Sequence, residues 1–142
     1  MNRIDFYLIP HARSQSFYLF ICRLVEKAYH SQHQVYIYSQ NDEELENIDK
    51  LLWTFKDISF LPHVNSKALN QMSAPILLTD SIDDKKAEVL INLNTNPIVA
   101  CDKFERIIEV VSSEELQKNI SREKYKHYKS IGLNLKTHDL TK

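Results

Sequence analysis

Ile4-Asp5-Phe6-Tyr7-Leu8-Ile9-Pro10 is a short, mostly apolar run closed by a proline. Such a run reads as a strand buried on both faces. The next segment has a different period. From Ser14 or Ser16 to about Tyr29, the residues Phe17, Ile21, Leu24 and Ala28 recur at helical spacing, so a helix comes after the strand. The alternation then repeats. Val35 to Ser39 is a second strand, and Asn41-Asp42-Glu43-Glu44 is a helix start with acidic residues at its positive end. Leu45, Ile48 and Leu52 continue that helix as a buried stripe ending near Trp53. An irregular stretch from Lys56 to Ala74 separates it from a strand at Ile76 to Thr79. Val89 to Leu93 and Ile107 to Val111 are further β-branched runs, and Ser112 with Glu115 forms a capping-box pattern before a last helix. Strands alternating with helices predict one α/β domain over residues 1–142, with a mostly parallel central sheet and helices on both faces.

The bulk properties agree with one domain. The chain has 142 residues, 43% of them apolar and 26% charged, enough for one ordinary core. No segment approaches the roughly 18 consecutive apolar residues of a membrane span, and the start reads as a strand rather than a signal peptide, so a cytoplasmic location is expected. Cys22, inside Phe-Tyr-Leu-Phe-Ile-Cys, and the distant Cys101 read as buried structural thiols. Charge is unevenly divided. From Lys118 to Lys142 seven Lys/Arg face only Glu123 and Asp139, a net +5, while the remainder holds 11 basic and 17 acidic residues, a net −6. That balance argues against a protein coating nucleic acid over its whole surface, and leaves room for one localised basic site.

Motifs for catalysis are missing where the fold class would put them. The single glycine, Gly132, comes after the last helix, so neither a G-x-G-x-x-G turn nor a Walker A loop can be written. His30 and His33 form the one close histidine pair, at a polar helix end and without a zinc-type ligand set. No G-x-S-x-G turn or recognisable catalytic cysteine motif is present. No cofactor, no metal and no catalytic residue are expected. The alternative is an α/β nucleotide-binding module or small enzyme, with its site at the C-terminal edge of the sheet.

Two features ask for a partner. In the last helix Lys118, Arg122, Tyr125 and Lys129 fall within about a 60° arc with Lys126 beside it, while Leu116, Ile120 and Ile131 lie roughly opposite. Spacing alone favours a solvated basic face at the negative helix end. The other reading is a receptor for an anionic ligand, in which an arginine fork and lysines hold carboxylates and a tyrosine covers an apolar group. The second feature is Leu51-Leu52-Trp53-Thr54-Phe55 followed by Ser59-Phe60-Leu61-Pro62-His63. Its aromatics either plug the sheet edge or form an exposed patch that docks a partner.

Arg122-Glu123-Lys124-Tyr125-Lys126-His127-Tyr128-Lys129-Ser130-Ile131-Gly132-Leu133-Asn134-Leu135, Trp53 with Ser59-Phe60-Leu61-Pro62-His63, and the opening Asp5-Phe6-Tyr7-Leu8 together resemble the chi subunit of the bacterial DNA polymerase III holoenzyme. The resemblance runs the length of the chain and is poorest from Val64 to Glu88. It implies an α/β domain without polymerase chemistry and two protein partners. One is a small psi-like subunit that tethers chi to the clamp loader. The other is the acidic, Phe-terminated C-terminal tail of single-stranded DNA-binding protein. Carried over by residue, it implies a tail pocket of Val111, Lys118, Arg122, Tyr125, Lys126 and Thr137, and a psi-facing surface of Trp53, Phe60 and Pro62. Direct nucleic-acid and membrane contacts are not expected. The middle segment lacks the glycines common in that family.

Overall fold

The computed structural model describes residues 3–54, 63–65, 76–82, 87–99 and 101–141. Its elements in chain order are β1 (Arg3–Leu8), α1 (Gln15–His30), β2 (Val35–Tyr38), α2 (Asp42–Thr54), β3 (His63–Asn65), β4 (Ile76–Thr79), β5 (Ala87–Asn92), β6 (Phe104–Val111), α3 (Glu115–Ser130) and β7 (Asn134–Asp139). A 3₁₀ turn at Cys101–Lys103 precedes β6. These strands form one sheet in the order β3-β4-β2-β5-β6-β1-β7, and every pairing among them is parallel. The expected α/β architecture is therefore present.

Strand alternation divides the core between two faces. Val35, Ile37, Val89, Ile91, Ile108 and Val110 point to one side, where Phe17, Ile21 and Val25 of α1 and Leu45, Ile48 and Leu52 of α2 cover them. Ile4, Phe6, Leu90, Ile107 and Val111 point to the other, covered by Tyr128 of α3 and by Ile98 and Cys101 of the β5–β6 connection. A sheet buried on both faces needs the continuous apolar strands read from the sequence. Cys22 and Cys101 are buried and unbridged.

Local signals set the helix ends. Asn41 accepts the Glu44 amide at 3.2 Å through its side-chain oxygen, which caps α2 as its sequence suggests. The capping box expected for α3 does not form. Glu114 occupies the cap position, and the Ser112 hydroxyl donates to the Glu114 carboxylate at 2.8 Å instead of pairing with the helix backbone. Glu114 is then also the acceptor for the Arg13 amide at 3.1 Å, so the acid ties the start of α3 to the β1–α1 loop.

Candidate functional site

The start of α3 and the ends of β1 and β6 enclose an open cleft of about 570 Å³. Leu8, Ile9, Pro10 and Val111 give it an apolar floor, Ser112, Ser113 and Ser121 add hydroxyls, and Lys118 and Arg122 stand on its α3 rim with Thr141 opposite. Parallel β1 and β6 put Leu8 beside Val111, so two strand ends finish side by side under the helix. Pro10 stops the first strand and exposes that end.

Among the described residues, the contacts holding these cations are weak ones along α3 itself. Arg122 Nη1 donates to Asn119 Oδ1 at 2.7 Å, Lys118 Nζ lies 3.9 Å from Glu115 and Lys126 Nζ lies 3.8 Å from Glu123. The two exposed lysine pairs contribute about 0.3–0.5 kcal/mol each, little to displace on binding an anion, and the Arg122 bond is to a neutral amide. Cationic rim, hydroxyls and apolar floor together suit a ligand with a carboxylate and a compact hydrophobic group.

Of the six residues assigned to a tail pocket, Val111, Lys118 and Arg122 line this cleft. Tyr125 and Thr137 both adjoin Phe6 of β1: the Tyr125 ring packs on the Phe6 ring with centroids 5.5 Å apart, and Thr137 is the β7 residue in register with Phe6. Lys126 is off the lining and its side chain is 75% exposed. Trp53 is exposed at the end of α2. Phe60 and Pro62 lie outside the described residues.

The packing face of α3 differs from the expected one. Leu116 and Ile131 are exposed, while Lys124 and Tyr128 are buried. Lys124 Nζ donates to Glu109 Oε1 at 2.8 Å and also to the Asn94 carbonyl. Tyr128 Oη donates to Glu109 Oε2 at 2.7 Å and accepts from the Ile98 amide at 2.8 Å. Burial, then the Glu109 carboxylate, pushes the Tyr128 hydroxyl above its ordinary range. Sequence reasoning gave neither Lys124 nor Tyr128 a place in the packing and missed this pairing. The signal was Glu109, an acid inside the otherwise buried end of Phe-Glu-Arg-Ile-Ile-Glu-Val-Val, which must find a partner.

The C-terminal edge of the sheet, where a nucleotide would lie, carries a second polar cluster. Arg13 Nη1 meets Glu44 Oε2 at 2.9 Å and its Nη2 donates to the Leu93 carbonyl at 3.1 Å. Tyr18 and Ser39 donate to the same carboxylate, each at 2.7 Å. Burial, with Glu44 next, raises the Tyr18 hydroxyl above its ordinary range. These bonds brace α1 against β2 and α2, while Arg13 Nε is buried without a hydrogen-bond partner among the described residues. Among the described residues no group of three or more His, Cys, Asp or Glu is placed to hold a metal ion, and no helix is long and apolar enough to cross a membrane.

Comparison with known proteins identifies the family. The family model described as "DNA polymerase III chi subunit, HolC" matches residues 1–136. A DNA polymerase III subunit chi of Pseudomonas aeruginosa is 32% identical over 141 residues, covering 99% of this chain and 98% of its own length. The Escherichia coli protein of that name is 25% identical over 82% of this chain and 81% of its own length, and the Haemophilus influenzae one is 26% identical over 96% of each. This chain belongs to the DNA polymerase III chi subunit family.

Proposed function

We propose that this chain is a non-catalytic accessory subunit of the replicative polymerase with two protein-binding surfaces. Through Trp53, Phe60 and Pro62 it joins a psi-like subunit of the clamp loader. Through the α3 cleft it takes the acidic C-terminal tail of single-stranded DNA-binding protein, and so links the clamp loader to coated template. Membership of the family supports the replication role.

The observation that carries the tail reading is the meeting of Lys118 and Arg122 with the apolar floor of Leu8, Ile9, Pro10 and Val111. A tail ending in phenylalanine sets its ring on that floor and its terminal carboxylate against the Arg122 fork. Upstream aspartates meet Lys118, and the exposed Lys126 adds a longer-range, solvent-screened attraction. Tyr125 and Thr137 border the path of the tail on the β7 side. A small, partly open site of this kind binds on the order of micromolar, more weakly as salt rises.

Titration of a labelled acidic peptide ending in Pro-Phe tests the reading. Arg122→Ala removes a charge-assisted contact worth about 1.5–3 kcal/mol, so affinity should fall at least tenfold. Lys126→Ala should lose less, through screening alone. Equal affinities for wild type and Arg122→Ala, with circular dichroism showing both folded, would return α3 to a solvated basic face.

A further inference from the structure

Helix α3 carries two candidate packing faces, and the more hydrophobic one is not chosen. Leu116, Ile120 and Ile131 form an apolar stripe of which Ile120 alone is half-buried, beside Glu109 and Lys124; Leu116 is 68% and Ile131 52% exposed, while Lys124 is 6% exposed and Tyr128 fully buried. Burying Leu116 and Ile131 as well would need the helix to roll the other way, away from the seat of Tyr128. What holds it is the polar node on β6. Glu109 accepts from Lys124 at 2.8 Å on one oxygen, and from Tyr128 at 2.7 Å and Asn92 at 2.8 Å on the other. Lys124 also reaches the Asn94 carbonyl, and the Ile98 amide donates to Tyr128 at 2.8 Å. The node thus fastens α3 to the β5–β6 connection as well as to the strand.

We propose that the Lys124–Glu109 pair is a registry device that fixes the rotation of α3 about its own axis and thereby holds Lys118 and Arg122 at the cleft. The proposal rests on the reading of that cleft as the acidic-tail site, and assigns a positioning role to two residues outside its lining. Fixing register is the best-attested use of a buried polar or ionic group, and breaking a buried pair leaves a charge uncompensated. At 100° per residue, seating Leu116 and Ile120 inward needs a roll of roughly 70°. That roll carries Lys118 and Tyr125 from the flank beside the cleft to the solvent side. Leu116 and Ile131 are left outside so that the cations stand at the rim.

The test uses the full chain with Lys124→Met and Glu109→Gln together. Methionine matches the lysine stem, and the glutamine oxygen still accepts from Tyr128 and Asn92, so the fold should persist by circular dichroism. Leu116→Cys, placed in wild type and in this variant, reports rotation through maleimide labelling. Cys22 and Cys101 are both buried, and burial pushes the Cys22 thiol up to about 12, so the native thiols stay silent. In the variant, labelling of the introduced thiol should slow at least fivefold and affinity for the acidic Pro-Phe peptide should fall at least tenfold. Adding Leu116→Ser and Ile131→Ser to Lys124→Met/Glu109→Gln removes the competing stripe, and should restore affinity to within threefold of wild type. Wild-type labelling and affinity in the variant overturn the proposal. So does a loss of affinity that the serines do not rescue, because a merely loosened helix would not be repaired by them. If wild type itself fails to bind the peptide, the tail reading fails and the labelling rates alone decide the registry. Should the double variant not fold, Lys124→Met alone, which leaves Glu109 its Tyr128 and Asn92 donors, carries the same readouts.

Discussion

Asp5 shows how one residue can answer to several forces. It is fully buried in β1, where burial pushes its carboxyl up, yet Arg106 by hydrogen bond and charge, then the His138 bond and Arg3, bring it net below its ordinary 3.8. Arg106 also donates to Tyr7 Oη at 2.6 Å, and the Tyr7 ring stacks on His138 with centroids 4.4 Å apart. These contacts bind β1 to both its neighbours, β6 and β7. A folded-state value below the unfolded one gives a stabilisation that is full above about pH 3.8 and is lost as pH falls through the lower folded value. Asp5→Asn should therefore cost about 2 kcal/mol or more at neutral pH, because the guanidinium loses its counter-charge. Its urea midpoint should also fall less steeply than wild type between pH 5 and about pH 2. The slope should not vanish, since Glu114, held down by the Ser112 hydroxyl and the Arg13 amide, contributes in the same direction. Parallel pH profiles for the two proteins would mean that Asp5 is not a source of the acid sensitivity.

At the scale of elements, α1 and α3 close in the same way with different residues. After α3, the Gly132 amide donates to Lys129 O at 3.1 Å and the Leu133 amide to Tyr128 O at 3.3 Å, with Gly132 at φ +83°. After α1, the Gln32 amide donates to Tyr29 O at 2.9 Å and the His33 amide to Ala28 O at 3.0 Å, with Gln32 at φ +65°. Both are Schellman caps, and the left-handed position is free of steric cost only for glycine. A Cβ on Gly132 would touch nothing within 4 Å, so the penalty of Gly132→Ala is conformational alone and should be about 1 kcal/mol. Gln32→Gly should do the reverse and raise stability by up to about 1 kcal/mol. Thermal or urea unfolding of the two variants checks the pair, and a stability loss in Gln32→Gly would mean that the glutamine side chain makes a contribution of its own. The same elements show what can be read from sequence. Five strands and three helices were legible because their apolar periods are strong. Strands β3 and β7 were not: the three residues His63–Asn65 lie in the stretch read as irregular, and Asn-Leu-Lys-Thr-His-Asp at a sheet edge buries little and carries no β-rich pattern. The rotation of α3 was misread because an apolar stripe is visible in one dimension, whereas an ion pair between Glu109 and Lys124, 15 residues apart, is visible only once the sheet has formed.

In the whole molecule, Trp53 of α2 and the α3 cleft stand on opposite faces and towards opposite edges of the sheet. Helix α2, which carries Trp53, packs with α1 over the β2 and β4 side. Helix α3 covers the other face over β6 and β1, next to β7. Strands β4 and β6 are three steps apart in the sheet order, which at about 4.8 Å per step is roughly 14 Å before the thickness of the sheet is added. Substitutions farther apart than about 7–10 Å and without shared partners usually add within about 0.3–0.5 kcal/mol. Such a layout suits a linker, since occupying one surface leaves the other open. Val111, Lys118 and Arg122 could be grouped from helical spacing and family resemblance, and Ser121 sits beside them on α3, whereas Pro10 and Thr141 join them only through the parallel return of the chain beside β1. The prediction at this scale is independence. Trp53→Ala should leave the affinity for the acidic Pro-Phe peptide unchanged, and Arg122→Ala should leave pairing with the psi-like subunit unchanged. In the double variant the two losses should add within about 0.5 kcal/mol, measured as a complete thermodynamic cycle by calorimetry with each ligand in the presence and absence of the other. A coupling above about 1 kcal/mol would mean that the sheet transmits occupancy from one face to the other, and that the subunit is a switch rather than a passive bridge.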